Sequence, residues 1–266
     1  MPLHETEAFV LRSWTLREAD KICVFLTRQS GMVRGVAHGA RKLRSRFGSS
    51  LEPFTEISLT YFQQENKELV SVSGCDIIRS NFDLASTSEL LAATEYMAEL
   101  VLEFLPEHQA DERAYRLIGA TLGALRKTPE RAPEPLLRYF EIWLLKLAGF
   151  LPEMRRCNVC GKDLAVESTV WLTADDSPQC RDCSRERGEE MPAAVRQSIN
   201  VILHKAPDVY FASSHDTRTL AQIRNLTTRH IGRVLERKLK SHDLLHRLKP
   251  EPLRQEPEPD PLSAIL

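Results

Sequence analysis

Four cysteines in two pairs constrain this chain more than any other feature: Cys157-Asn-Val-Cys160-Gly161 and, nineteen residues later, Cys180-Arg-Asp-Cys183. A Cys-x-x-Cys turn holds two thiolates close enough to share a metal, and two such turns close a tetrahedron around zinc. Gly161 suits the tight knuckle that brings backbone N–H groups toward the sulfurs. Four thiolates leave no open coordination position, so the expected ion is structural and activates no water. The competing readings are two unrelated pairs or a redox Cys-x-x-Cys motif. Redox motifs come singly and beside a βαβ pattern, which is missing here. One Zn2+ on Cys157, Cys160, Cys180 and Cys183 is therefore expected to staple a small module spanning residues 153–186.

At 266 residues the chain has room for about two domains. A composition of 42% hydrophobic and 27% charged residues is that of an ordinary soluble globular protein. No run of eighteen apolar residues exists, so no membrane partner is expected. The opening Met1-Pro2-Leu3-His4-Glu5 lacks a basic n-region, which predicts no signal peptide and a reducing, cytoplasmic compartment. In that setting Cys23 and Cys75, in apolar strand-like segments, read as buried fillers.

The net charge of −1 conceals a segregation. From Lys21 to Leu51 there are seven basic residues and no acidic one; from Ser80 to Glu112 there are eight acidic residues and no Lys or Arg. From Arg224 to Lys249 there are eight basic residues against two acidic. A polyanion responds to such local fields, not to their sum.

Residues 7–16, 19–27, 32–38, 54–63 and 68–78 read as five short strands, rich in Val, Ile, Phe and Thr and punctuated by turn residues. Ile57, Leu59 and Tyr61 alternate with Glu56, Ser58 and Thr60, the pattern of a half-buried strand. Five strands in this length suit a small closed barrel, either the oligonucleotide-binding (OB) type or an SH3-like one. Helices follow. Ser86-Thr-Ser-Glu89 matches a capping box, and Leu90, Ala93, Met97, Val101 and Phe104 form one apolar face. Glu95, Glu99 and Glu103 fall opposite it, as a solvated stripe or a surface for docking onto basic residues. Further helices are expected over 112–126, 135–147, 192–204 and 216–247. The fold class is thus α+β: a barrel domain over 1–80, a helical domain over 81–249 with the inserted cysteine module, and a disordered acidic, Pro-rich tail over 250–266.

The sharpest feature after the cysteines is the loop Arg34-Gly-Val-Ala-His-Gly39-Ala-Arg41-Lys42-Leu-Arg44-Ser-Arg46-Phe47. Its cations, Arg34, Arg41, Lys42, Arg44 and Arg46, are placed to hold a phosphate chain, and Phe47 to stack on a base. Gly31, Gly35 and Gly39 would let the backbone bend closely around the ligand. The alternative is a solvated loop. Near the C-terminus Arg229, Arg233 and Arg237 recur at helical spacing, followed by Lys238. They would either extend the phosphate track or meet the acidic helix. No His-Glu-x-x-His, His-x-Glu or Gly-x-Ser-x-Gly signature occurs, and no phosphate-hydrolysing loop, so an enzyme is not expected.

The order of these features resembles the bacterial recombination mediator family RecO. The carrying residues are Glu7-Ala-Phe-Val-Leu11, Gly31-Met-Val-Arg34-Gly35-Val-Ala-His-Gly39-Ala-Arg41-Lys42, Ser45-Arg46-Phe47 and Leu51-Glu-Pro-Phe54. Further on come Arg138-Tyr-Phe140-Glu141 and Leu147-Ala-Gly149-Phe150-Leu-Pro152, which runs into the first cysteine pair. The resemblance implies an OB barrel, a helical domain and an inserted zinc ribbon. It implies binding to single- and double-stranded DNA, annealing of complementary strands, and work with RecR to load RecA onto DNA coated by single-strand-binding protein (SSB). The helical domain would receive the acidic C-terminal tail of SSB, and the protein would sit at the nucleoid. The chain's own tail, Pro250 to Leu266, has similar acidic chemistry and departs from the family pattern. Two other functions fit the residues alone: an RNA-binding barrel-plus-zinc protein, and a zinc-stabilised scaffold whose basic patches meet acidic proteins.

Overall fold

A computed structural model of the chain describes residues 2–63, 67–241 and 245; the acidic tail over 250–266 lies outside the described residues. Five strands come first: β1 (Leu3–Thr15), β2 (Lys21–Thr27), β3 (Gly31–Ala37), β4 (Glu56–Phe62) and β5 (Val70–Arg79). They close a barrel in the order β1-β2-β3-β5-β4. Every neighbouring pair is antiparallel except β3 with β5, which meet in parallel at Gly35–Val70 and Val36–Ser71. This is the five-stranded Greek-key closure of the OB type and not the SH3-like alternative. Gly35 stands at the seam because a Cβ there would come within 2.8 Å of both Val70 and Val72.

Strand periodicity sorts the apolar side chains into two cores. Ala8, Val10, Cys23, Phe25, Val33, Ile57, Leu59, Tyr61 and Val72 fill the barrel. On the opposite face Phe9, Leu11, Val24, Leu26 and Met32 join the core of the helical half. Burial on both faces explains the continuous apolar runs in β1 and β2, while β4, with one solvated face, keeps the clean alternation read from its sequence. Cys23 and Cys75 are buried fillers, and burial first of all pushes both thiols up to about 12.

The helical half begins with α1 (Ser88–Phe104), α2 (Glu112–Lys127) and α3 (Glu134–Leu147). Thr87, not Ser86, caps α1 by accepting from the Leu90 N–H; Asp111 caps α2 through Arg113 and Ala114. A ribbon follows, with β6 (Thr169–Leu172), β7 (Pro178–Gln179), the single turn α4 (Arg181–Ser184) and β8 (Glu189–Pro192), its strands in the order β7-β6-β8. Then come α5 (Ala193–His204), α6 (Pro207–Ala212) and α7 (Thr217–Leu235). The helix expected over 216–247 is interrupted, because Glu236 takes a left-handed conformation at φ 53° and ends α7 at Leu235; residues 242–244 and 246–247 of that stretch lie outside the described residues.

The acid-rich stretch is not a solvated stripe. Glu95 meets Arg12 of β1 at 3.8 Å, Glu107 meets Arg34 of β3 at 2.6 Å, and Glu112 meets Arg28 at 2.7 Å. Glu103 pairs with Arg237, and Glu99 is buried, accepting the backbone N–H groups of Lys240 and Ser241. Burial raises the Glu99 carboxyl, but the bonds from Ser241 and Lys240 prevail and hold it below the ordinary range. The exposed pairs, screened by solvent, contribute little each to stability. Their effect is on orientation: they turn the acidic helices toward the basic barrel.

Candidate nucleic-acid interface and metal centre

The sequence folds the four cysteines into one cluster. In the first knuckle the Cys157 N–H donates to the Lys162 carbonyl and the Gly161 N–H returns to the Cys157 carbonyl, each at 2.9 Å, with Gly161 at φ +72°. In the second, Cys180 caps α4 and Cys183 lies in its only turn. The four Sγ atoms all lie within 4.8 Å of one another, a donor set that fits a single metal ion. Burial raises the Cys157 thiol, yet the backbone N–H groups of Cys160, Cys180 and Val159 outweigh it and bring it down to about 6. Hydrogen bonds to Cys180 and Cys160 push Cys183 up to about 12. Sulfurs this crowded cannot all ionise side by side, and a bound divalent cation removes the conflict.

The ribbon is tied to α7 by a residue that no motif in the chain marks. Asp176 sits at the tip of the β6–β7 turn with φ +61°, a conformation Asp tolerates better than most residues. Its buried carboxylate accepts from Arg229 Nε (3.1 Å), Arg229 Nη2 (2.8 Å), Arg233 Nη1 (2.7 Å) and His230 Nδ1 (2.7 Å). The other His230 nitrogen faces the Phe150 carbonyl at 2.6 Å. Arg229 also reaches Glu189 of β8. Three residues of α7 thus converge on one carboxylate of the ribbon, and His230 extends the contact to the segment that follows α3.

The basic loop between β3 and β4 is pinned at both ends. Asp20 accepts the Gly39 N–H at 2.8 Å and faces His38 Nδ1 at 3.0 Å. The Arg41 N–H donates to the Ala19 carbonyl, and Arg41 Nη1 to those of Glu18 (2.9 Å) and Arg17 (3.3 Å). Phe47 and Leu51 plug the barrel. Between these anchors run two successive turns, closed by Lys42 N–H to Gly39 O and Ser45 N–H to Lys42 O. Lys42 and Arg44 project from them, exposed and without a carboxylate partner among the described residues. Asp20 was the missed organiser; its signal was its place as the last acid before the acid-free stretch.

Both halves of the chain match models of one known family. The N-terminal model of recombination protein O matches residues 1–81, and its C-terminal model matches residues 85–243. The chain belongs to the RecO family. The DNA repair protein RecO of Koribacter versatilis is 33% identical over 247 residues, covering 92% of this chain and 99% of the relative. That of Symbiobacterium thermophilum is 32% identical over 260 residues, covering 94% and 99%. That of Syntrophus aciditrophicus is 28% identical over 257 residues, covering 92% and 96%. Membership in RecO makes this a DNA repair protein family with a recombination setting, as the sequence resemblance implied. Among the described residues no helix is long and apolar enough to cross a membrane.

Several expectations for individual residues change against this geometry. Phe47 is not available to a base: it is 2% exposed, inside the barrel, with the Arg46 guanidinium 4.9 Å above its ring. Arg34 is engaged by Glu107, and Arg41 by backbone carbonyls. Of the two outcomes expected for the C-terminal cations, Arg237 follows the second and meets Glu103 of the acidic helix, while Arg229 and Arg233 are taken up by Asp176 of the ribbon; Lys238 remains exposed. Gly31 bends around no ligand. A Cβ there would meet the backbone of Gln109 at 2.4 Å, because the chain linking α1 to α2 crosses β3 at that point. Gly39, at φ +73°, makes the turn that Asp20 holds.

Proposed function

We propose that this RecO-family chain is a non-enzymatic recombination mediator. It binds single- and double-stranded DNA, anneals complementary strands and, with RecR, helps load RecA onto SSB-coated single strands at the nucleoid in the cytoplasm. The observation that carries the DNA-binding reading is the pinned loop that presents Lys42 and Arg44 unpaired, beside Arg46, on an OB barrel whose other cations are largely engaged. Phosphates meeting Lys42, Arg44 and Arg46 are held without regard to sequence, as a mediator needs. Arg41 supports that loop through its bonds to the β1–β2 connection, Arg34 lies on the strand that leads into it, and Lys238 offers a second contact. The SSB tail is assigned to the helical half and RecA to an indirect role.

The bound ion is zinc in this reading, with a structural task. A tetrahedral zinc–thiolate centre with bonds of about 2.3 Å has sulfur–sulfur edges of about 3.8 Å, and Cys160 Sγ and Cys180 Sγ are 3.8 Å apart. A disulfide would need about 2.05 Å.

The test is the double variant K42E/R44E in equilibrium binding to a single-stranded oligonucleotide across salt concentrations. Affinity is expected to fall equally for all base sequences, and the slope of log K against log salt to shrink by roughly 1.4, at about 0.7 per phosphate lost. Unchanged affinity and slope would return the loop to a solvated surface. Tighter binding of the wild type to structured RNA than to single-stranded DNA would favour an RNA-binding barrel instead.

A further inference from the structure

We infer that Leu43 is a base-contacting residue, which inserts against unstacked bases while the cations beside it hold the phosphates. This rests on the DNA-binding reading above and adds a contact that charge cannot supply. The loop's other large apolar side chains, Phe47 and Leu51, are buried, whereas Leu43 is 102% exposed. It is the second residue of the turn closed by the Ser45 N–H and the Lys42 carbonyl, so the backbone presents it outward at the tip. Lys42 and Arg44 flank it directly.

A second exposed leucine lies on the neighbouring turn. Leu16 is 42% exposed beside Arg17, in the β1–β2 connection. Arg41 staples the two turns through its bonds to the carbonyls of Arg17, Glu18 and Ala19. One end of the barrel therefore carries two leucines, each adjacent to a cation, on a fixed backbone.

Charge complementarity selects the occupant. A second copy of the chain would bring Arg17, Lys42 and Arg44 against themselves, and like charges oppose that contact. A single strand offers phosphates for the cations and open base faces for the leucines. A duplex keeps its base faces stacked, so Leu43 contributes to preference for single strands.

The experiment compares wild type, L43A and L16A/L43A in binding to oligo(dT) and to an abasic oligomer of equal phosphate count. An exposed turn residue can be replaced by alanine without disturbing the core. L43A is expected to weaken oligo(dT) binding by about fivefold, the effect of half-burying one leucine, with an unchanged salt slope and unchanged affinity for the abasic oligomer. The double variant should fall further on oligo(dT) alone. Equal affinities of wild type and L43A for oligo(dT), or equal losses on both oligomers, would overturn the inference while leaving phosphate binding intact. Failure of the wild type to bind either oligomer would overturn both readings. Binding to phosphatidylglycerol vesicles that L43A abolishes, with oligo(dT) binding unaffected, would overturn it in favour of an anionic lipid surface.

Discussion

Stripping the metal from the four-cysteine cluster is expected to unfold the ribbon over 153–192 and loosen the helices it covers. Cys157 and Cys180 are buried in the main core together with Leu164, Val170, Leu172 and Met191, so an ion held there would secure a hydrophobic lid as well as two knuckles. Structural zinc contributes about 10–16 kcal/mol to zinc-finger peptides, comparable with the whole stability of a typical domain at about 5–15 kcal/mol. C180S, which swaps a buried thiolate for a poor ligand, should lower the melting temperature sharply and shift Trp171 fluorescence to the red, since that side chain is buried in β6. Elemental analysis should find one zinc per chain in protein purified without chelator. Finding none, with Trp171 still shielded, would refute the zinc reading. DNA annealing should decline only as far as folding does.

The second large effect belongs to Asp176. Replacing it by alanine leaves Arg229, His230 and Arg233 without their common acceptor; because both arginines are 35% exposed, the cost sits at the low end of the about 3–5 kcal/mol for breaking a buried ion pair. A fall in melting temperature of about 10 °C is expected for a chain of this size. D176N keeps a residue that tolerates positive φ and an oxygen acceptor, so it should lose less. Acid should imitate D176N in the wild type. Burial raises the Asp176 carboxyl, but hydrogen bonds from His230, Arg229 and Arg233 outweigh it, and the group titrates below the ordinary carboxylate range. Its contribution is complete above the unfolded value of about 3.9 and is lost as pH falls through the depressed one. D176N should therefore lack that part of the acid limb of a stability–pH curve; coincident limbs would show that Asp176 does not bear the load assigned to it.

Local physics made much of this fold legible in advance. Alternation in β4, the paired Cys-x-x-Cys turns and the apolar stripe of α1 each follow from one short stretch of chain. What escaped depended on distant partners. The charge segregation was visible, but not that Glu95, Glu107 and Glu112 would spend themselves on Arg12, Arg34 and Arg28. Phe47 reads as an exposed aromatic among cations until the barrel closes over it. β7 has two residues and α6 six, too few for any period to register. α7 stops where one residue turns left-handed, which no repeat in its sequence announces. At the loop the cations were found by composition, whereas the sorting into engaged Arg41 and free Lys42 and Arg44 needed the backbone of the neighbouring turn.

The shared core behind β1, β2 and β3 has a mechanical meaning. Swinging the barrel away from the helices would carry Phe9, Leu11, Val24, Leu26, Met32 and Phe54 into water, at a cost on the order of 10 kcal/mol. Thermal motion does not supply that, so the molecule behaves as a stiff bracket. Anything held at the loop would therefore keep a constant reach and angle to the helical half.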